Sequence, residues 1–200
     1  MLRCKIRVSP SALCLLAIFV LLSSPVLLAA ILFASLCHEF GHYIVLRLLH
    51  GKVKEIVITP LGIEMKVKKQ MNYLGEFLTT LAGPAVNLLL AWCMSGFGQY
   101  TTVFYEFSGA QAVLGIYNLL PMYPLDGGTL LWTIIACFTE PYTADRIVSA
   151  VGFFVALCLT GFAGILYIHV GGMPFFLLAA LALLWRSSRE IGLVKRLRKR

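Results

Sequence analysis

The stretch SLCHEFGHYIVLRLL, residues 35–49, sets His38, Glu39 and His42 within a run that otherwise reads as a lipid-facing helix. Ionisable side chains are expensive in hydrocarbon, and inside a membrane segment they mark function by default. His38 and His42 are four residues apart, so a helix points both from one face. That spacing lets two imidazoles grip one Zn²⁺, while Glu39 sits beside the metal-bound water.

The surrounding chain fits that reading. It has 200 residues, 60% of them hydrophobic and 13% charged, with a mean hydropathy of +0.87. A soluble domain has about 45–50% apolar and about 25% charged residues. The expectation is an all-α polytopic membrane protein forming a single domain over 1–200. The apolar runs suggest about six transmembrane helices, near 9–23, 26–47, 73–97, 103–123, 147–168 and 173–187. The 17 Lys and Arg residues fall within 3–7, 47–69 and 186–200 and at Arg146. With those helices, all of them lie on one side, and the positive-inside rule makes that side cytoplasmic. Both termini and the 48–72 loop are then cytoplasmic. The net charge of +8 is an orientation signal rather than a mark of nucleic-acid binding.

The N-terminal MLRCKIR followed by LCLLAIFVLL has a signal-peptide profile. Residues 9–47 would nevertheless span about 58 Å as helix, enough for two crossings. Ser23-Ser24-Pro25 supplies the turn, so a retained first helix is expected. The six cysteines show no metal-site spacing and no disulfide framework. They read as reduced, small apolar residues.

Three segments depart from plain helix. KVKEIVITPLGIEMKVKK, 52–69, alternates apolar and polar residues on both sides of Pro60-Leu61-Gly62. It suggests a β-hairpin or small sheet at the cytoplasmic face after the second helix. Such a segment serves as a basic surface loop, or as an edge that adds a substrate strand. YNLLPMYPLDGG, 117–128, breaks the fourth helix at Pro121 and Pro124. Broken backbone at membrane depth needs protein or a water-filled cavity around it. AGPAVN, 82–87, puts Pro84 where it disturbs the bond to the Thr80 carbonyl, and Gly83 where helices can approach closely. Asn87 reads as an interhelical hydrogen bond or as a cavity wall.

Two histidines do not complete a catalytic zinc site, which takes a third protein ligand and keeps one position open. Entering near Val26, the second helix carries His38 about 18 Å and His42 about 24 Å inward. Asp126, at the inner end of the fourth helix, is on the same side at a compatible depth. Glu76, near the inner start of the third helix, is its rival.

HEFGH at 38–42 and NLLPMYPLDGG at 118–128, with GPAVN at 83–87, closely resemble the site-2 protease family of intramembrane zinc metalloproteases. Among its branches the chain looks most like the stage IV sporulation protein FB group. The resemblance covers most of the chain. It implies one Zn²⁺ held by His38, His42 and Asp126, with Glu39 as general base. Asn118 matches the asparagine thought to help hold substrate or oxyanion. It further implies a membrane-associated protein substrate cut near the cytoplasmic face of a bacterial cell membrane. Regulated intramembrane proteolysis, sigma-factor activation and inhibitory membrane partners come with it. Neither a PDZ-type insertion nor a CBS domain is expected within the chain. Three other readings compete. One is a membrane metalloprotease with glutamate as third ligand; another is a divalent-metal-binding or transporting protein; the third is an inactive scaffold.

Overall fold

The computed structural model describes residues 5–10, 20, 23–51, 53–59, 62–67, 71–98, 101–170 and 180–189. They belong to two compact units, Met1–Asn118 and Leu119–Arg200.

The first unit combines a small sheet with three helices. Strands β1 (Lys5–Val8), β2 (Val53–Thr59) and β3 (Gly62–Val67) lie in the order β1-β2-β3. The β2 and β3 strands pair antiparallel, with Ile56 opposite Met65, while β1 joins β2 in parallel, with Ile6 opposite Ile56. Arg7 closes on Glu55 across that pair at 2.9 Å.

Helix α1 (Pro25–Leu48) starts where Ser24 accepts from the Leu27 amide and Pro25 takes the first helical position. Helix α2 (Tyr73–Ser95) starts at Asn72, whose Oδ1 accepts from the Gly75 amide at 3.0 Å. Helix α3 (Thr102–Asn118) completes the unit, and the three pack against one another.

Their faces are inverted relative to a water-soluble bundle. The buried stripe of α1 is Ala30, Ala34, His38, Gly41, His42 and Leu46, mostly small or polar, and that of α2 includes Gly83, Asn87 and Ala91. Leu32, Leu36, Phe40, Leu89 and Trp92 face outward. Lipid tails solvate such side chains well, so helices in a membrane meet through small and polar residues. Gly41 is one such point: a methyl there would stand 2.7 Å from the Ala82 carbonyl oxygen. Two side-chain bonds tie the helices, Asn87 Nδ2 to the Ala34 carbonyl at 3.3 Å and Ser108 Oγ to the Ala91 carbonyl at 2.8 Å.

The second unit holds α4 (Asp126–Ala136), α5 (Pro141–Val170) and a helix α6 over 180–189. Its core gathers Met122, Leu125, Ala144, Val148 and Ala156, all essentially without exposure. Thr160 Oγ1 bonds the Ala180 carbonyl at 3.2 Å, linking α5 to α6.

The expected fold class needs correction. The expectation is an all-α chain with a β-hairpin or small sheet after the second helix; the structure has a three-stranded sheet, to which Lys5–Val8, ahead of all the long helices, adds a parallel strand. The described residues also do not contain six spanning helices. Three are long and apolar enough to cross a membrane: Pro25–Leu48, Tyr73–Ser95 and Pro141–His169. The helix expected at 103–123 stops at Asn118, ahead of the proline-broken segment. At about 26 Å it falls short of a hydrocarbon core of about 30 Å. The expectation missed α4 altogether, because turn signals at Pro124 and Gly127 masked the helix that begins between them. Most of the expected helix at 9–23, and part of that at 173–187, lie outside the described residues.

Candidate active site

The site begins on α1. His38 and His42 are 5% and 9% exposed, on the face that meets α2. Their rings stand edge to face at 87°, and the two Nε2 atoms are 3.1 Å apart. His42 Nδ1 lies 2.7 Å from the Thr79 carbonyl oxygen. A carbonyl only accepts, so Nδ1 carries the hydrogen and donates. In the neutral ring the lone pair is then on Nε2, the atom turned toward His38. Such a partner on the far nitrogen fixes both tautomer and orientation of a metal-binding imidazole.

The pair suits zinc. Two nitrogens at this separation, each about 2.0–2.1 Å from one ion, subtend about 100° there, close to tetrahedral. Glu39 follows His38 on α1 and is half-buried.

Helix α2 makes room for the pair. A methyl on Gly83 would collide with His42 Nε2 and stand 3.0 Å from His38 Cε1. Thr79 and Gly83 are one turn apart, so one face of α2 holds His42 at one nitrogen and leaves space at the other. The Gly83-Pro84 dipeptide was the sequence signal for this; the Thr79 carbonyl left none, because any residue supplies a carbonyl.

In the second unit, Asp126 is the first residue of α4, with Leu125 at the N-cap. The positive end of the helix dipole favours a carboxylate there. Residues 119–123 fold tightly over this first turn. A methyl on Gly127 would run into the Leu119 and Leu120 carbonyls, and one on Gly128 would stand 2.7 Å from the Met122 carbonyl oxygen. Two glycines after Asp126 are therefore a steric requirement.

Within the first unit, His38 and His42 offer two ring nitrogens from one buried helix face, a donor pair compatible with a zinc site. Asn118 ends α3, and its Nδ2 donates to the Leu114 carbonyl at 3.1 Å.

A family profile described as Peptidase M50B-like matches residues 11–137. The chain belongs to the Peptidase M50B-like family. It is 28% identical over 151 residues to a zinc metalloprotease of Methanocaldococcus jannaschii, covering 70% of this chain and 43% of the relative. It is 29% identical over 140 residues to stage IV sporulation protein FB of Bacillus subtilis, covering 66% of this chain and 48% of that protein. The chain thus spans less than half the length of these curated relatives. Its fold is that of the site-2 protease from Methanocaldococcus jannaschii, with a TM-score of 0.71 at 23% identity, over 93% of this chain and 90% of that one. With three long apolar helices, this M50B-like chain is an integral membrane protein.

Proposed function

We propose that this M50B-like chain is a zinc-dependent intramembrane endopeptidase that hydrolyses a peptide bond of a membrane-associated protein near the cytoplasmic face. The observation that carries the reading is the buried His38–His42 pair, with Nε2 atoms 3.1 Å apart on an apolar helix. His38, His42 and Asp126 would hold the ion. When bound, zinc supplies Lewis acidity and makes water acidic enough to ionise near neutral pH. Glu39 takes a proton from the attacking water and returns it to the leaving amine. Asn118, released from the Leu114 carbonyl, supports the developing oxyanion.

Residues 1–200 work as one protease domain, with both termini cytoplasmic and a bacterial cell membrane as its setting. The clustered basic residues support that orientation. Likeness to the sporulation protein favours regulated intramembrane proteolysis as the context.

The test is a pair of substitutions in the full chain, read by zinc content and by cleavage of a transmembrane peptide library. Glu39→Gln should lower cleavage by about 10²-fold or more while zinc stays bound. Asp126→Ala should lose the zinc. If Glu39→Gln leaves cleavage intact, the proteolytic reading fails; if Asp126→Ala retains zinc, the third ligand lies elsewhere.

A further inference from the structure

Gln111 takes no part in the proposed chemistry, yet its position in the core is costly. It is fully buried on α3, and neither Nε2 nor Oε1 has a hydrogen-bond partner. Facing it is α2. A methyl on Gly115, one turn along α3 from Gln111, would stand 3.2 Å from Asn87 Cβ. Residues four apart share a helix face, so Gln111 and Asn87 look into the same interface.

Asn87 is also fully buried, and half of its amide is spoken for. Its Nδ2 donates to the Ala34 carbonyl on α1. A carbonyl only accepts, which fixes the amide's orientation and turns Oδ1 away. That oxygen has no partner either. One layer of the three-helix core therefore holds two acceptors and one amide donor group with nothing to bond. Gln111 is about 14 Å along α3 from Thr102, well inside the helix rather than at an end where water could reach it.

We propose that Asn87 and Gln111 hold ordered internal water between α2 and α3. The chemistry selects water over an ion or an apolar ligand. The layer offers acceptors and donors together and no formal charge. An internal water makes about three hydrogen bonds, typically to buried polar groups that are otherwise unsatisfied. One molecule donates to Asn87 Oδ1 and accepts from Gln111 Nε2; Gln111 Oε1 takes a further water hydrogen. Ala34 and His38 are one turn apart on α1, as are Asn87 and Gly83 on α2. The hydrated layer thus adjoins the histidine layer, and Asn87 joins it to α1 just outward of His38. The inference does not depend on the proteolytic reading.

Proton NMR of the full chain in lipid nanodiscs, with ¹⁵N-labelled glutamine, tests it. The chain has three glutamines, Gln70, Gln99 and Gln111, and Gln111→Met identifies the third side-chain signal by its loss. The side-chain NH₂ of Gln111 should show a dipolar cross-peak to water with the sign of a long-lived contact. Asn87→Leu should weaken that cross-peak at least severalfold while the NH₂ signal remains. If the wild-type NH₂ signal has no such cross-peak, or contacts Asn87 directly in its place, the proposal is overturned. The wild-type measurement stands whether or not either variant folds.

Discussion

At residue 83 a single methyl group separates a metal site from a merely polar helix interface. The space above Gly83 is where His42 Nε2 and the His38 ring rest, so Gly83→Ala pushes directly on the donor atom. Loss of a group that orients a ligand typically costs 10–100-fold in metal affinity. A drop of about tenfold or more is expected here, measured by chelator competition. Gly109→Ala provides the control, because nothing lies within 4 Å of that position, and it should leave affinity unchanged. Equal affinities for the two variants would show that Gly83 does not position the pair. At this scale the sequence was legible wherever a role needed a particular side chain at a local spacing. His38 and His42 announced themselves four residues apart. The Thr79 carbonyl and the Gln111 layer did not, since one is backbone and the other depends on which helices become neighbours.

Among the elements, the segment from Leu119 to Asp126 differs most from what composition suggests. Pro121, Pro124, Gly127 and Gly128 read as a loop, yet Met122 and Leu125 are core residues and α4 starts at Asp126 itself. Local propensity foresaw the break but could not foresee that the broken chain folds over the next helix. It also could not supply β1, because Lys5–Val8 becomes a strand only by pairing with residues some fifty positions away. The long helices were legible because apolar length is itself the signal. Glycines separate the two regimes. Gly127→Ala sets a methyl against backbone carbonyls, which cannot rotate away. Overpacking of this kind costs about 1–3 kcal/mol. Gly161 and Gly164 on α5 have open space around them, so alanine there should be neutral or gain up to about 1 kcal/mol in helix propensity. Denaturant unfolding in detergent measures both, and similar effects at 127 and 161 would contradict the tight turn.

In each unit taken separately, many large apolar side chains point outward, while small and polar ones share the interior with a few large ones such as Leu46, Met122 and Leu125. Leu36 is 64% exposed at the centre of α1, and Phe154 is 65% exposed on α5, while Ala30, Ala34 and Ala156 are buried. In water this pattern would aggregate; in lipid it is the stable one. The distinction has a sharp consequence for charge. Leu36→Arg places a guanidinium at mid-helix facing hydrocarbon, a penalty of about 2.5–3.5 kcal/mol on insertion scales. Leu48 is as exposed as Leu36, at 71%, but it ends α1. An arginine there can extend its head group to the interface and should cost little. Membrane-integrated yield of the two variants, expressed side by side, should therefore fall strongly for Leu36→Arg and hardly for Leu48→Arg. On a water-soluble surface both arginines would be solvated alike. Equal yields would remove the bilayer from the account, and with it the reason why polar residues at His38, Asn87 and Gln111 need partners inside the bundle.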